Sequence, residues 1–429
     1  MAGAATMDSF FRLKFPIIIY NPGMNKSTAL TPFSKALAAV LRAVKPLPAV
    51  RLPLEKAFGF VLREIIRADR PLPPFNRSAM DGYAVRYADL AKGLRRFRRV
   101  GTLEAGDAWR EPVRPGECLK IMTGAPVPAG LDAVEQVEKS KADGAYVKFS
   151  TTAPERWQHI HRMGADCGKG ERLIPAGEPL TPGRVAVAAS VGAASVGVTR
   201  AIRVAVIATG NELVGAAQKP APCQIRDSNS RFLLARLAAI PWITGSFGGV
   251  IKDDPRALRR AAASALNKND MVILTGGVSM GDRDHIPAVL KECGVQNRLY
   301  KSAIRPGKPV WFGVKGGTAV FGLPGNPVSV AATFSQFVLP ALRKMAGFGV
   351  AVPPPLRLPL AAAAKKKHGL REFRIGCYAN GGAAVAPVPG YQGSGDFVSA
   401  SRSDGLIVIP EEAREFPAGT VVEFHPWNS

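Results

Sequence analysis

The chain has 429 residues, more than one hydrophobic core serves, so several domains of about 100 to 150 residues each are expected. With 47% hydrophobic and 21% charged residues and no long tract of biased composition, it reads as globular, which excludes a disordered or fibrous chain. Its 57 Lys and Arg against 33 Asp and Glu leave +24, a surface that attracts anions, but the basic runs are short and no nucleic-acid-binding module accompanies them, so nucleic acid is not the expected partner.

Residues 1–28 read as an N-terminal extension, with Met24 an alternative start and the apolar run 15–20 (FPIIIY) followed by no cleavage pattern. From Thr31, Leu37, Val40, Leu41 and Val44 recur at helical spacing, and after a proline break Leu54, Ala57, Phe58, Val61, Leu62 and Ile65 do the same, so two amphipathic helices are expected. Closely spaced prolines at 72–75 (LPPF) end that region. Residues 75–150 hold short β-prone pieces punctuated by Gly, Pro and Asp, the pattern of a small β-rich domain. Residues 151–202 add further glycine-punctuated β pieces, expected to pair with residues 29–74 in one elongated linker domain.

At residue 203 the grammar changes. Apolar runs at 204–208, 271–274 and 319–323 each end in a glycine-rich turn and alternate with helical segments, which predicts a doubly wound parallel α/β domain over residues 203–347. Prolines 353–355 mark a linker, and residues 348–429, with strands at 406–409 and 420–424, read as a C-terminal β-barrel-like domain. The expected fold is thus multidomain α/β plus β. No window reaches the ~18 consecutive apolar residues of a membrane helix. Single, unpaired cysteines at 118, 167, 223, 293 and 377 match no disulfide framework or zinc site, so a cytoplasmic chain with no membrane partner is expected. His159 and His161, the one close histidine pair, read as ordinary surface residues.

In such sheets ligands sit at the carboxyl ends of the strands. Three strand ends carry TGNEL (209–213), TGGVSMGDRD (275–284) and GLPGNP (322–327). Glycine admits positive φ and close ligand approach, and a following helix N-terminus offers unpaired N–H donors, so together these loops predict a phosphate-lined pocket. Carboxylates among them (Glu212, Asp282, Asp284) would repel phosphate unless a cation intervenes, which motivates Mg²⁺. Asp253 and Asp254 either join that cluster or cap the helix starting at Pro255. Opposite stand Lys301, Arg305 and Lys308, cations interrupted by Pro306-Gly307 in a way that suits an oxyanion.

These segments, with 72–86 (LPPFNRSAMDGYAVR), 121–134 (IMTGAPVPAGLDAV), 164–171 (GADCGKGE), 304–310 (IRPGKPV), 321–330 (FGLPGNPVSV), 392–395 (QGSG) and 404–412 (DGLIVIPEE), resemble in order the motif series of the molybdopterin molybdenumtransferases, the family that includes the gephyrin E domain. The resemblance runs from about residue 30 to the C-terminus. It implies a homodimer of elongated four-domain subunits that binds adenylylated molybdopterin and molybdate and, with Mg²⁺, leaves molybdenum on the dithiolene and releases AMP. Carried onto this chain, it assigns Asp81, Thr123 and Asp166 in the β-rich part as catalytic, with Glu212, Asp254 and Asp284 both catalytic and metal-holding. Substrate binding falls to Gly276, Gly277, Ser279, Lys301, Arg305, Lys308, Pro324, Pro327 and Ser329, with Ser394 and Arg371 from the last domain as molybdate contacts. The chain departs from the family's pattern at Asn76, Arg77, Asn211 and Arg305, and at GLREFR (369–374) the local register differs. Two alternatives therefore stay open: a transferase using tungstate or with reduced activity, and a non-catalytic pterin-binding scaffold.

Overall fold

A computed structural model describes residues 30–278, 285–412 and 414–427; the extension before Leu30, and with it Met24 and the run 15–20, lies outside the described residues, as do Ser279, Asp282 and Asp284. The opening helix forms over Phe33–Ala43 and buries Ala36 and Val40. The second expected helix does not form. Of its residues, Leu54–Lys56 make one tight turn directly after a strand at Ala49–Pro53, and the backbone beyond is irregular, with single bridges from Val61 to Pro179 and from Leu62 to Val198. Gly59, inside the segment, adopts φ +80, outside the helical region, and an added Cβ there would meet the Pro241 ring at 2.7 Å. Leu54, Ala57, Val61 and Leu62 are buried all the same, while Phe58 and Ile65 stay exposed: Ala49–Pro53 pairs antiparallel with Ser195–Thr199, and Leu54, Leu62 and Ile66 pack against Leu180, Val196 and Val198. The expected pairing of residues 151–202 with the opening segment is therefore present. Within it, however, Pro182–Ser190 is a helix, capped by the Thr181 hydroxyl with Pro182 at its first position, a start signal that small residues had masked.

Two further short pairings, Ile66–Arg67 with Arg172–Ile174 and Arg77–Ser78 with Ile160–His161, draw the outgoing and returning chain together. Between these legs residues 82–149 build a six-stranded sheet with apolar clusters on both faces, Phe97 and Phe149 stacked on one and Leu119 and Ile121 on the other.

The α/β domain comprises β1 (Ile202–Thr209), α1 (Asn229–Ala238), β2 (Ile243–Ile251), α2 (Pro255–Lys268), β3 (Met271–Thr275), α3 (Ile286–Glu292), β4 (Gln296–Tyr300), β5 (Ile304–Arg305), β6 (Trp311–Lys315), β7 (Thr318–Leu323), α4 (Pro327–Thr333) and α5 (Leu339–Met345). Its sheet has the order β2-β1-β3-β7-β6-β4. The first four strands are parallel, while β6 runs antiparallel to β7 and β4 antiparallel to β6, so β6 alone is reversed and the sheet is mixed where a wholly parallel one was expected. The tight Gly316-Gly317 turn between β6 and β7 leaves no room for a crossover helix and forces the antiparallel hairpin. Both faces are covered. Val204, Val206, Ile273 and Phe321 pack toward Leu233, Leu237, Phe334 and Phe337, and the alternate residues Ala205, Ile207, Val272 and Leu274 pack toward Leu258, Leu266 and Leu290. Burial on two faces explains why these strands read as continuous apolar runs.

The C-terminal domain comprises β8 (Leu356–Pro359), β9 (Arg371–Ala379), β10 (Ala384–Pro387), α6 (Phe397–Ala400), β11 (Gly405–Ile409) and β12 (Val421–Pro426). The order β9-β11-β12-β8 continues through a Leu360–Val385 bridge to β10, which pairs back onto β9, so the strand pairing closes into a ring. β5 leaves the α/β domain to pair parallel with β9, Arg305 opposite Glu372. That strand fixes the two domains against each other.

Candidate functional site

The turns after β1, β3 and β7 come from three neighbouring strands, as their spacing predicts. Gly276 has φ +85, and a Cβ there would stand 2.4 Å from the Thr209 carbonyl, so only glycine lets the β3 turn press against the β1 turn. The buried Thr209 hydroxyl donates to the Thr275 carbonyl at 3.0 Å and locks the same junction. Across from these turns lie residues 306–309 and, from the C-terminal domain, β9 and loop 390–394. Together they enclose a cleft of about 1130 Å³. Two bonds stitch its rim shut on one side: the Asn326 amide donates to Ser394 Oγ at 2.9 Å, and the Val328 N–H donates to the Ser394 carbonyl at 3.1 Å.

Many of the expected residues are brought together there. Glu212, Gly276, Gly277, Arg305, Lys308, Pro324, Ser329 and Ser394 all line the cleft. Arg305 and Lys308 are exposed to it, and Ser329 sits buried at the start of α4. Arg305, Lys308 and the hydroxyls of Ser329 and Ser394 share the cleft with the carboxylates of Glu212, Asp253 and Glu372, a mixture suited to an anion held beside a cation. Among the described residues no group of three or more His, Cys, Asp or Glu side chains gathers to hold a metal alone. Two carboxylates are what Mg²⁺ takes when substrate phosphates and waters supply the rest of its hard oxygen shell, so Glu212 and Asp253 fit that ion.

Other expected residues stand elsewhere. Asp254 caps α2, its two oxygens accepting the Arg256 and Ala257 N–H groups at 3.0 and 3.1 Å, and the carboxylate on the cleft is its neighbour Asp253. Asn211, one of the departures, exchanges bonds with Asp253: its amide oxygen accepts the Asp253 N–H at 3.1 Å and its N–H donates to Asp253 Oδ2 at 3.3 Å. It thereby aims the carboxylate rather than replacing one. Lys301 does not line the cleft; its ammonium lies 5.1 Å from the Tyr300 ring centre. Pro327 opens α4 and lines a separate pocket.

Arg371 is also away from the cleft, paired with Glu423 at 3.2 Å and Glu411 at 3.5 Å. Glu372 and Arg374, on one side of the strand, line the cleft instead, as do Leu370 just before the strand and the buried Phe373, with Arg374 Nη2 held by Glu372 at 2.8 Å. The period-two pattern of GLREFR contained that signal. Tyr391 also lines the cleft, its phenol pushed up to about 12 by burial and so neutral at physiological pH.

Asp81 and Thr123 stand together in the β-rich part and Asp166 in a network of its own on the returning leg, and none of them lines the cleft. Asp81 Oδ1 accepts both the Thr123 N–H and its hydroxyl at 2.7 Å, and these bonds hold its carboxyl below the ordinary range. Asp166 is bonded to His161 Nε2 at 2.9 Å, whose other ring nitrogen meets Arg77 at 3.2 Å, and Asn76 accepts the Met163 N–H at 2.8 Å. His161 is thus part of a charged network.

Comparisons with known proteins agree in each of the three regions that match. Residues 31–192 match the MoeA N-terminal region (domain I and II), residues 205–344 a probable molybdopterin binding domain, and residues 357–427 the MoeA C-terminal region (domain IV). The molybdopterin molybdenumtransferase of Haemophilus influenzae is 36% identical over 88% of this chain and 93% of its own length. That of Staphylococcus aureus is 31% identical over 91% of this chain and 94% of its own. A solved structure of the molybdopterin biosynthesis moeA protein of Pyrococcus horikoshii superposes with a TM-score of 0.79 at 29% identity, covering 92% of this chain and 99% of that one. The order of motifs, the cleft between sheet and C-terminal domain, and these likenesses over nearly the full length lead to one result: the chain belongs to the molybdopterin molybdenumtransferase family.

Proposed function

We propose that this chain transfers molybdenum from molybdate to adenylylated molybdopterin and releases AMP. The observation that carries the reading is the cleft itself, which Arg305, Lys308 and Arg374 line together with Glu212 and Asp253, with Ser329 and Ser394 supplying hydroxyls. Lys308, Arg374, Ser329 and Ser394 suit a tetrahedral dianion, because charge-assisted bonds are the strong ones and hydroxyls adapt to its oxygens. The turns at Gly210, Gly276 and Gly325 offer close backbone approach to a pyrophosphate. Glu212 and Asp253 would hold Mg²⁺, with Asp284 beyond the described residues as a further ligand. That ion, when bound, stabilises charge on the phosphates as AMP leaves. The protein's part is placement: it sets molybdate and the dithiolene side by side in a cleft closed on one rim by the Asn326–Ser394 bond. Tyr391, held protonated, donates a hydrogen bond without adding negative charge to the anion site.

The site lies in a chain with no described helix long and apolar enough to cross a membrane. A cytoplasmic homodimer completes the proposal, with Asp81, Thr123 and Asp166 of one subunit serving the cleft of the other. The test is direct: purified protein with adenylylated molybdopterin, Mg²⁺ and molybdate should release AMP in step with molybdenum insertion. Lys308→Met should lower insertion by about tenfold or more while pterin binding persists, the scale of one lost charge-assisted contact. Tight pterin binding with no AMP from the wild type would make the chain a scaffold instead, and AMP release with tungstate alone would change the substrate.

A further inference from the structure

Behind the loops that form the cleft lies a second, smaller pocket of about 360 Å³, enclosed by α1, the start of α4, α6 and Trp427. Its walls are aromatic and small: Phe232 meets Trp427 edge-on with ring centres 6.3 Å apart, Ala331 lies between, and Phe397 stands at the mouth, 52% exposed. The Trp427 indole N–H is already spent on Ser403, so the ring presents only an apolar surface here.

Two polar groups in this apolar setting lack partners among the described residues. Arg236, from the last turn of α1, forms no ion pair and no hydrogen bond there; the residue is half-buried, its Nε is buried and unbonded, and its guanidinium lies 5.8 Å from the Phe334 ring centroid. Burial alone pulls that guanidinium below its ordinary range, as a cation taken from water without an anion requires. Asn229 donates from its amide nitrogen to the Gly325 carbonyl at 2.7 Å, but its Oδ1 is buried without a donor. No acidic side chain is among the described residues lining the pocket. A partly desolvated cation without an anion is costly, and so is a buried acceptor without a donor. Something that brings an anion, a hydrogen-bond donor and an apolar body would relieve both.

We propose that this pocket is a second ligand site, for a small aromatic carboxylate bearing a hydrogen-bond donor: the carboxylate on Arg236, the donor on Asn229 Oδ1, and the ring against Phe232, Ala331 and Trp427. The site adjoins the cleft. Asn229 holds Gly325 on the cleft's rim, and Asp396, which caps α6, also accepts the N–H of the cleft residue Gln392 at 3.1 Å. Charge complementarity selects the ligand class, since an uncharged ring would leave Arg236 as it is.

Titration calorimetry of the full chain with 4-hydroxyphenylacetate and with its amide, 4-hydroxyphenylacetamide, separates the charge from the ring and the donor. The acid should bind saturably with one site per chain and the amide about tenfold more weakly or worse, the scale of one lost charge-assisted contact. Arg236→Met should reduce the acid to the level of the amide and keep or raise the melting temperature of the ligand-free chain, because an unpaired charge is removed. Absence of saturable binding, equal binding of acid and amide, or unchanged binding by Arg236→Met would overturn the site. A large fall in the melting temperature of that variant would overturn it too, by giving Arg236 a role in holding the fold.

Discussion

Arg371 and Arg374 sit three residues apart in one strand, and the pleat decides which reaches the cleft. Arg374 lines it beside Glu372, while Arg371 is spent on Glu411 and Glu423. Arg374→Gln should therefore raise the KM for molybdate by about tenfold or more, both by losing a cation and by freeing Glu372 to repel the anion. Arg371→Gln should leave that KM unchanged and cost stability alone. Steady-state kinetics over a molybdate series distinguishes the two, and an effect of Arg371→Gln equal to that of Arg374→Gln would remove this assignment. Gly276 makes the same point about backbone. With φ +85 and the Thr209 carbonyl 2.4 Å from the place of a Cβ, Gly276→Ala should lower stability by about 2 kcal/mol and displace the β1 turn. Thermal unfolding and molybdate binding should fall together.

Among elements, the start of the α/β sheet is held by one carboxylate. Asp270, at the entrance to β3, accepts both Arg200 guanidinium nitrogens at 2.7 and 2.6 Å and the Arg203 N–H at 2.9 Å, which ties β3 to the residues leading into β1. Burial disfavours the charge, but these bonds prevail and hold its carboxyl below the ordinary range. A depressed carboxylate contributes stability that is complete above the unfolded value of about 3.9 and is lost as pH falls through the lower folded value. Asp270→Asn should thus cost about 3 kcal/mol at neutral pH, the scale of breaking a buried pair. The gap between variant and wild type in denaturant titrations should narrow below pH ~4, and a gap that stays constant would dissociate Asp270 from the pH dependence. Elements whose cause is local were legible in the chain: β1, β3 and β7 as apolar runs, α2 with its Asp254 cap, the opening helix by its period. Residues 54–65 were misread because a turn and loops that fold part of their apolar side chains onto one small core satisfy the same spacing as a helix. Backbone bonds from Leu54, Gly59, Leu62 and Arg63 to Ala194, Leu180, Glu178 and Gly197, all distant in the chain, settled that choice and leave no trace in the segment itself.

At the scale of the whole molecule, two sets of expected residues stand in separate parts of one chain: Asp81, Thr123 and Asp166 ahead of the α/β domain, and those of the cationic cleft between sheet and C-terminal domain. If a symmetric dimer joins them, mixing Asp81→Asn chains with Lys308→Met chains should restore activity, since each mixed dimer keeps one intact site and random exchange returns about a quarter of wild-type turnover. Mixtures as inactive as either variant would place both sets in the service of one chain. Composition, the strand-end glycines and the motif order by themselves determined that this is a multidomain anion-binding protein of one family, because turns that need glycine and strands buried on two faces write local constraints into the residues. The tertiary structure alone decided that Asp253 rather than Asp254 meets the cleft, that Arg374 rather than Arg371 does, and that an unpaired Arg236 waits behind it. Those outcomes depend on which side of a strand or helix start a residue takes once distant elements have packed, and a single residue's shift reverses them.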